Sequence, residues 1–486
     1  MRSTILIFIC LFLVATSQAR IIYVDANTPD NNDGSSWAKA YKFLQNALAD
    51  ANTSGDVNEI CVAQGTYNPD ANSSFPDGTG DREASFHLIN GVALKGGYAG
   101  FGEPDPNARD VELYETILSG DLDGNDVDVN NPLELLTEST RGENSHHVVI
   151  GADTTSVLDG VTVTAGYTKS SLAINDWVGG GGIYGGTSTI RNCTISANSA
   201  SDGTYSRGGG MLYCNGAIIS CTIRENSAYG GGGGLSHCDG PIPDCFVSEN
   251  SSKYYKGGGL YMCDGPITNC TISENSTNDY GGGLSNCNGS ITNCVISGNS
   301  ALFGGGMSYC NGPITNCTIS GNYSRAGDHH YELSWCEAPI TNSVIWGHRV
   351  SPYFSGTITY SDVQGGYLGE GNIAVDPCFA DPCSGDYHLK SQAGRWDPNT
   401  QSWIQDANTS PCIDAGNPNS SIGWEPFPNG GVVNMGAYGG TEKASKSYFG
   451  TPVCEKPISG DINGDCIVDW RDFAIMAFHW LEDNNE

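Results

Sequence analysis

Residues 281–301 read "GGGLSNCNGSITNCVISGNSA", and this order of a glycine triplet, two cysteines and a closing Asn decides the fold. The phrase returns from Gly257 as "GGGLYMCDGPITNCTISENST" and from Gly304 as "GGGMSYCNGPITNCTISGNYS". Successive triplets are 23 to 28 residues apart, and they end at Gly182, Gly210, Gly234, Gly259, Gly283 and Gly306. Repetition at this period is typical of a solenoid.

Each repeat consists of short runs rich in Ile, Thr and Val between Gly, Asn and Asp turns. Glycine opposes helix formation, and β-branched residues bounded by turn residues favour strands. A unit of about 24 residues cannot bury its own apolar face, whereas stacked units bury a continuous core. The sequence therefore predicts an all-β protein, a right-handed parallel β-helix solenoid whose coils lie about 4.8 Å apart.

One Asn closes each unit and is predicted to form an internal ladder. Asn tolerates the left-handed backbone of a sharp corner, and its side chain can hydrogen-bond its own turn. We therefore expect each amide to bond both its own turn and the Asn of the next coil. The ladder residues are Asn198, Asn226, Asn250, Asn275, Asn299 and Asn322.

Two columns of cysteine accompany the ladder. The first is Cys214, Cys238, Cys263, Cys287, Cys310 and Cys336, and the second is Cys193, Cys221, Cys245, Cys270, Cys294 and Cys317. Ser343 takes the second position in the last coil. We favour buried, unpaired thiols, because free Cys packs as a small apolar residue. Disulfides between coils and a metal site are the alternatives, and a local Cys378–Cys383 pair is a further candidate.

The first residues have the pattern of a secretory signal peptide, assigned to 1–19. A basic residue precedes an apolar core at 5–14, and Ser17 and Ala19 stand at the small-residue positions of a cleavage site. The apolar run is too short for a membrane span, and no later stretch is apolar enough. We therefore expect a secreted or cell-surface protein with no transmembrane span in the mature chain.

The rest of the chain divides by regularity and composition. Near the start, Tyr41, Leu44 and Leu48 repeat at helical spacing, which predicts a helix that caps the open end of the rod. After residue 346 the triplets are lost, and the turn-rich stretch is expected to close the far end. The predicted segments are 20–145 (N-terminal cap and first irregular coils), 146–346 (regular coils), 347–440 (irregular C-terminal coils and cap), 441–459 (linker) and 460–486 (calcium-binding tail).

The tail segment "DINGDCIVDWRD" (461–472) has the spacing of a calcium-binding loop. Side-chain oxygens fall at loop positions 1, 3, 5, 9 and 12, and a backbone carbonyl falls at position 7. The expected ligands are Asp461, Asn463, Asp465, Asp469 and Asp472, with Ile467 giving the carbonyl. An apolar run typical of a helix follows the loop. The sequence therefore predicts Ca²⁺ as a cofactor.

The same tail resembles a dockerin module, whose repeats share the D-x-N-x-D-G-x-[VI]-[DN]-x-x-D loop. The resemblance covers one such repeat, Asp461 to Trp480, whereas a dockerin has two. Cys466 stands where that loop normally has Gly, and a bridge to Cys454 would compensate for the strained turn. The resemblance implies Ca²⁺ binding and a cohesin-like receptor as a partner.

The body of the chain also carries a family resemblance. Its alternation of "GGGL" or "GGGM" with "TISGN" or "TISEN" is similar to the repeats of chlamydial polymorphic outer-membrane proteins and to pectate-lyase-like β-helix proteins. The resemblance covers roughly 179–346, and more loosely 21–440. It implies the fold, whereas β-helices serve as lyases, hydrolases, adhesins and passive stalks.

An earlier acidic stretch, "LSGDLDGNDVDVNN" (118–131), offers further oxygen ligands. Asp121, Asp123, Asn125 and Asp126 could hold Ca²⁺ in a loop. The ligand set within this loop is incomplete, so we favour a solvated acidic turn.

One segment breaks the repeat. "GDHHYELSWCEAP" (327–339) replaces a glycine triplet and offers His330, Tyr331, Glu332, Trp335 and Glu337 as a candidate ligand-binding patch, since aromatic rings stack on sugars and His or Glu can move protons. A terminal coil with bulkier capping residues is the alternative that we favour, because terminal repeats are usually atypical.

Charge and the outward-facing residues bear on function. The formal net charge of −32 argues against a nucleic acid partner. Outward positions of the regular coils are mostly Ser, Thr and Asn, while Glu225, Glu249 and Glu274 recur once per coil, as in a solvated ridge. We expect a protein that binds extracellular polysaccharide or a cell-surface component. A polysaccharide lyase or glycoside hydrolase is the alternative, and a self-associating structural element is a third hypothesis.

Overall fold

The computed structural model describes residues 19–169, 179–201, 203–326, 331–447, 468, 470 and 472–474. Over these ranges the chain is almost entirely β, and most of its strands stack in parallel from one coil to the next. The predicted fold class, a parallel β-helix solenoid, is confirmed. No helix in the described part of the chain is long and apolar enough to cross a membrane.

The coil that starts at Leu284 shows the path of the chain. It passes through the short strands Leu284–Ser285, Ile291–Thr292, Val295–Ser297 and Ser300–Ala301. Every strand lies in register over its counterpart in the next coil, so that Leu284 pairs with Met307 and Ile291 with Ile314. The stacking that the repeat predicts is therefore present.

Sharp corners separate the strands of a coil. In this same coil the backbone turns at Asn286, Asn293 and Gly298, whose φ angles are 56°, 53° and 64°. Only Gly, and to a lesser degree Asn, adopts this left-handed conformation readily. At the Asn293 corner Asn recurs in most coils, whereas the corners at Asn286 and Gly298 are also occupied by bulkier residues such as Tyr213 and Glu225.

Two parallel sheets flank the glycine triplets. In the described residues, the nine-stranded sheet follows the triplets and comprises Phe86–His87, Val149–Ile150, Ile183–Tyr184, Met211–Leu212, Leu235–Ser236, Leu260–Tyr261, Leu284–Ser285, Met307–Ser308 and Leu333–Ser334. The seven-stranded sheet precedes them and comprises Tyr167–Thr168, Ser199–Ala200, Ser227–Ala228, Ser251–Ser252, Ser276–Thr277, Ser300–Ala301 and Tyr323–Ser324.

The eleven-stranded sheet is the longest stack among the described residues. It comprises Gly65–Tyr67, Thr116–Ser119, Thr162–Thr164, Thr194–Ser196, Thr222–Arg224, Phe246–Ser248, Thr271–Ser273, Val295–Ser297, Thr318–Ser320, Val344–Trp346 and Asp362–Val363. It runs almost the whole length of the rod.

The remaining side of the rod is formed by two six-stranded sheets placed end to end. The first comprises Arg20–Val24, Val57–Ala63, Ala93–Tyr98, Val157–Asp159, Thr189–Arg191 and Ile218–Ile219. The second comprises Ile242–Pro243, Ile267–Thr268, Ile291–Thr292, Ile314–Thr315, Ile340–Thr341 and Ile358–Thr359. The two are continuous, since the Ile218 N–H donates to the Pro241 carbonyl at 2.9 Å.

One apolar core fills the rod. It runs without a break from Ile22 to Val363, and its inward side chains, such as Leu284, Ile291 and Ile296, are at most 1% exposed. Burying each such side chain contributes roughly 1.5–3 kcal/mol. Most of the hydrophobic stabilisation of the folded rod therefore comes from contacts between neighbouring coils.

The predicted Asn ladder lies inside this core. All six ladder residues are 0% exposed. The amide of Asn250 shows the pattern: its Nδ2 donates to the Asn275 Oδ1 at 2.9 Å and to the Ile223 carbonyl of the preceding coil at 2.8 Å. The Asn250 backbone N–H donates to the same Asn275 oxygen at 3.0 Å. Each coil therefore satisfies buried polar groups of its neighbours.

The cysteine columns are also inside the rod. In the described residues all of these thiols are unpaired, and the twelve column members are at most 2% exposed. The Cys245 N–H lies 3.4 Å from the Cys270 Sγ, and Ser343 continues this column by accepting from the Cys317 N–H at 3.1 Å. The predicted Cys378–Cys383 pair is wrong, because both residues are free thiols. Cys454 and Cys466 lie outside the described residues.

A helix covers the N-terminal end, as predicted. It spans Leu44–Ser54, ends at the left-handed Gly55, and buries Leu44, Ala47, Leu48 and Ala51. Tyr41 precedes the helix and bridges to Val24 instead. Short 3₁₀ helices lie at Trp37–Lys39, Pro132–Leu136, Ser139–Gly142, Gly203–Tyr205 and Pro382–Ser384.

The C-terminal segment packs along the side of the rod. It contains two antiparallel hairpins, Phe379–Asp381 with Asp386–Leu389 and Arg395–Asp397 with Ser402–Ile404. Phe379, Tyr387 and Met435 cluster with Val295 and Val344 of the eleven-stranded sheet. The C-terminal segment, which the sequence places at the far end of the rod, therefore covers part of the eleven-stranded sheet. In the tail, 470 and 472–474 are helical.

Candidate functional site

A column of corner residues follows the strands of the nine-stranded sheet. Its members have left-handed φ angles of 51–57° and are half-buried. Each is followed by a fully buried Cys in the regular coils, so the corner residue itself projects outward. The column comprises Tyr213, His237, Met262, Asn286, Tyr309 and Trp335.

A second outward column consists of the residues that immediately precede the glycine triplets. It includes Arg207, Lys256, Tyr280 and Phe303; Arg207 is only 6% exposed, and Tyr280 and Phe303 form a parallel bridge. The two columns run side by side because the triplet and the strand after it are short. We call their combined surface the aromatic face; its members are Tyr184, Tyr213, His237, Tyr261, Tyr280, Phe303, Tyr309, Trp335 and Tyr353, with Arg207 and Lys256.

Trp335 is the centre of the C-terminal half of this face. Its ring is nearly parallel to those of Tyr309 and Tyr353, at centroid distances of 5.7 and 5.0 Å. The rings of Tyr280 and Phe303 meet it edge-on at 5.1 and 5.4 Å. Such offset and edge-to-face contacts fix ring orientation. Tyr353 is 60% exposed, so the cluster presents ring surface to solvent.

The rings continue into the N-terminal half. Tyr213 and His237 lie 5.2 Å apart, and His237 and Tyr261 lie 5.9 Å apart. Glycine at position 231 makes room for this arrangement, because a Cβ there would stand 2.6 Å from the Tyr261 ring. The face thus crosses several successive coils.

Two cations lie on the aromatic face. The Arg207 guanidinium is 5.1 Å from the Tyr261 ring centre, and the Lys256 ammonium is 4.1 Å from that of Tyr309. These are cation–π distances. Burial, followed by the nearby Arg207, lowers the pKa of His237, so that this imidazole is neutral at neutral pH. The half-buried Lys256 is therefore the more accessible cation of the face, whereas Arg207 is only 6% exposed.

The face is suited to binding extended, ring-bearing ligands. Aromatic side chains combine a large apolar surface with polar edges. Successive coils lie about 4.8 Å apart, so a chain of sugar rings laid along the rod would meet one ring cluster after another.

The predicted ligand patch at 327–339 is only partly on this face. Trp335 is central to it, and Tyr331 is half-buried in a bridge to Arg349. Glu337 is exposed in the next turn, where its N–H donates to the Asn311 Oδ1 at 3.0 Å. His330 lies outside the described residues. Of the described patch residues, Trp335 therefore lies centrally on the aromatic face and Glu337 lies in the next turn.

Glu332 requires a correction, because it points into the core and is 0% exposed. Its carboxylate accepts from the Asn322 Nδ2 at 2.7 Å, from the Asn322 N–H at 3.1 Å and from the Gly321 N–H at 3.0 Å. Glu332 thus occupies the place of a seventh Asn and ends the ladder. This matches the favoured alternative, in which the last coil carries capping residues.

The structure also locates the remaining acidic candidates. Glu225, Glu249 and Glu274 stand at left-handed corners of successive coils beside the ladder, with φ angles of 56–57°. Of the six predicted calcium ligands of the tail, Asp472 is buried, at 2% exposure. The other five, Asp461, Asn463, Asp465, Ile467 and Asp469, lie outside the described residues.

A wide cleft between the C-terminal segment and the eleven-stranded sheet was not foreseen. Its volume is about 1120 Å³, and its lining includes Glu274, Asp386, His388 and Lys443. The His388 Nδ1 lies 2.6 Å from the Asp386 Oδ1, and the Arg395 guanidinium donates to the other Asp386 oxygen at 3.1 Å. His388 is only 3% exposed, so this ion-paired network joins the two hairpins and forms part of the cleft wall.

Comparison with one solved structure agrees with the fold. The chain is similar to the crystal structure of pectate lyase Pel9A, with a TM-score of 0.52 and 18% identity over 86% of this chain and 96% of that one. A weaker likeness, with a TM-score of 0.20 and 11% identity, covers 84% of this chain and 85% of Escherichia coli YbhC. A family model described as "Disaggregatase related" matches residues 353–416. No curated protein sequence matches the chain.

The ladder cap gives a pH-dependent prediction. Burial raises the pKa of Glu332 to about 8, against the opposing effect of its N–H donors, whereas an unfolded Glu titrates near about 4.3. Between these two pKa values Glu332 is ionised in the unfolded state but still protonated in the folded state. The free energy of unfolding therefore decreases as pH rises, by about 1.4 kcal/mol per pH unit. Glu332→Gln keeps the volume but removes this titration.

We therefore expect the melting temperature of the wild type to fall more steeply with rising pH than that of Glu332→Gln. The difference should develop between roughly pH 5 and 8, the interval set by the unfolded and folded pKa values of Glu332. Thermal melts followed by circular dichroism provide the measurement. Glu337→Gln is the matched control, because it makes the same change at an exposed turn later in the same coil. Its pH profile should match that of the wild type. Parallel pH profiles for wild type and Glu332→Gln would contradict this account.

Proposed function

We propose that this protein binds extracellular polysaccharide along its aromatic face, as an exported, non-catalytic rod attached to a surface through its calcium-binding tail. The observation that carries the proposal is the run of outward rings across successive coils, from Tyr184 to Tyr353. A polymer presents the same chemical unit repeatedly, and a face built from a repeated coil matches that periodicity.

Charge on the face supports a carbohydrate ligand. The chain as a whole carries a formal net charge of −32, yet Arg207 and Lys256 lie among the rings. Lys256 gives this surface a positive charge that can pair with carboxylates or donate to hydroxyls, while Arg207 contributes from a buried position. The face therefore suits neutral and acidic polysaccharides better than it suits an apolar partner.

The solvated acids give no comparable support for catalysis. Glycoside hydrolysis needs carboxylates that converge on one bond, whereas Glu225, Glu249 and Glu274 are distributed at one per coil. The lyase-like fold of Pel9A is shared, but at 18% identity that likeness concerns architecture. These three Glu residues therefore give no support for turnover, and binding is the function that the aromatic face favours.

The test is retention of the mature chain by a panel of neutral and acidic polysaccharides in affinity gel electrophoresis. We expect the wild type to be retarded by at least one of them. The double variant Trp335→Ala/Tyr309→Ala removes the central rings and should bind roughly tenfold more weakly, the equivalent of about 1.4 kcal/mol. Trp424→Ala/Tyr323→Ala removes an exposed Trp and Tyr elsewhere and serves as the matched control.

Three outcomes would contradict the proposal. The wild type could be retained by none of the polysaccharides, or the double variant could bind as well as its control. Release of unsaturated products or new reducing ends would establish the lyase or hydrolase alternative. Calcium-dependent growth in particle size by light scattering, without polysaccharide retention, would favour the self-associating structural element.

The attachment function rests on the tail. Its support is the spacing of oxygen ligands over 461–472 and the dockerin-like pattern, which implies a cohesin-like receptor. Asp465→Ala removes a central ligand and should reduce the Ca²⁺ bound per chain by one in isothermal titration calorimetry. Asp483→Ala, which lies beyond the loop, should leave the stoichiometry unchanged. Equal stoichiometry in both variants would refute the tail as a calcium site.

A further inference from the structure

A half-buried acidic pocket lies beside the rod, far along the chain from the tail. Residues 121–145 leave the eleven-stranded sheet after Ser119 and return to the nine-stranded sheet at Val149, and they include the 3₁₀ helices Pro132–Leu136 and Ser139–Gly142. This segment is fastened to the rod by hydrogen bonds to backbone carbonyls. The cavity between segment and rod has a volume of about 480 Å³.

Three carboxylates converge beside this cavity, and two of them, Asp121 and Asp126, line it. One oxygen from each of Asp121, Asp126 and Glu143 lies within 4.8 Å of the others. Asp121 is already oriented, because its oxygens accept from the N–H groups of Asn125 and Asp126 at 3.1 Å. Three negative charges at this separation repel each other strongly unless a cation balances them.

A second observation points to a missing ligand. Five buried oxygens without a hydrogen-bond partner concentrate here, with one unpartnered nitrogen, the Nε of Arg141; the oxygens are Asp126 Oδ1, Thr140 Oγ1, Glu143 Oε1, Asn144 Oδ1 and Ser145 Oγ. Buried polar atoms are normally satisfied, so such a concentration indicates an occupant. Apart from the Arg141 nitrogen, the atoms are oxygens, and the carboxylate and amide oxygens among them can accept but not donate.

Asn144 is the most informative of these residues. It is 0% exposed, and its Nδ2 donates to the Asp126 Oδ2 at 2.9 Å and to the Ala165 carbonyl at 2.7 Å. Both donors of the amide are thereby used, which fixes its orientation. Its oxygen, on the same carbon as Nδ2, is consequently held beside the Asp126 carboxylate with no donor of its own.

The positive charge near the three carboxylates does not balance their negative charge. Arg141, whose side chain is 3% exposed, pairs with the Asp126 Oδ2 at 3.0 Å and donates to the Ala197 carbonyl at 2.7 Å. One guanidinium against three carboxylates leaves two uncompensated charges. Asp128, Glu225 and Glu249 also line the cavity and add to the negative field.

We infer that this pocket binds one Ca²⁺ through Asp121, Asp126, Glu143 and the Asn144 side-chain oxygen. Oxygen-only ligands with excess negative charge are the donors that Ca²⁺ prefers, and its flexible coordination accepts water at the remaining positions. The ion fastens 121–145 to the side of the rod. The site is separate from the tail loop and goes beyond the proposed function.

This inference changes the interpretation of the 118–131 stretch. The sequence suggests Asp123 and Asn125 as companions of Asp121 and Asp126, with a solvated turn favoured. In the structure Asp123 and Asn125 are exposed, and Glu143 and Asn144 take their places. Asp123 therefore provides a matched control: it carries the same charge in the same segment, outside the ligand set.

The test uses the full mature chain with the tail loop inactivated by Asp461→Ala/Asp465→Ala, so that failure of the tail site does not affect it. After removal of metal with a chelator, isothermal titration with Ca²⁺ should still show one site, and Ca²⁺ should raise the melting temperature. Adding Glu143→Gln should weaken binding at least tenfold and remove the thermal shift. Adding Asp123→Asn should change neither.

Hydrogen exchange provides a measurement that needs no change in the pocket. Ca²⁺ should slow amide exchange in 121–145 of the tail-inactivated chain, with little change in the regular coils. The inference is overturned if that chain binds no Ca²⁺ and exchange in 121–145 is unaffected. Equal weakening by Glu143→Gln and Asp123→Asn would also overturn it, because it would indicate a diffuse charge effect.

Discussion

A column of buried amides makes every coil of this protein dependent on the next. Each ladder Asn is 0% exposed, and its donors are satisfied by a carbonyl of one neighbouring coil and an amide oxygen of the other. Loss of one ladder Asn from the assembled rod would leave groups of its neighbours buried and unpaired, at a cost of about 1–3 kcal/mol each. The ladder therefore also requires an end, which the Glu332 carboxylate supplies.

The same stacking organises the outside of the rod. Because inward Leu, Asn and Cys are held in register, the corner residues between them are also aligned, and outward rings from different coils come into contact. A surface that extends along the rod is thereby obtained without any long loop. The 121–145 segment adds an irregular pocket elsewhere on the rod. The aromatic face therefore arises from the repeat itself, whereas the acidic pocket arises from a segment outside the repeat.

The interior was predictable from the sequence, and the surfaces were not. Asn198 to Asn322 and the cysteines recur at constant positions within each unit, so their stacking follows from the repeat alone. Glu332 was predicted to bind a ligand but lies in the core. Its coil lacks the glycine triplet that would have identified the inward positions. The rings of Tyr280 and Tyr309 belong to different columns of the repeat, and Tyr353 lies outside the repeat. An alignment of the coils would have indicated Tyr280 and Tyr309, but not Tyr353. Glu143 and Asn144 reach Asp121 only through the 3₁₀ turns, which no spacing rule encodes.

A double-mutant cycle on the ladder tests the dependence between coils most directly. Asn250→Ala and Asn275→Ala remove adjacent ladder residues, whereas Asn226→Ala and Asn299→Ala remove residues with two ladder members between them. Free energies of unfolding from chemical denaturation should show a coupling energy of about 1 kcal/mol or more for the adjacent pair, and additivity within about 0.5 kcal/mol for the separated pair. Additive effects in the adjacent pair would contradict the claim that buried amides of neighbouring coils hold the solenoid together.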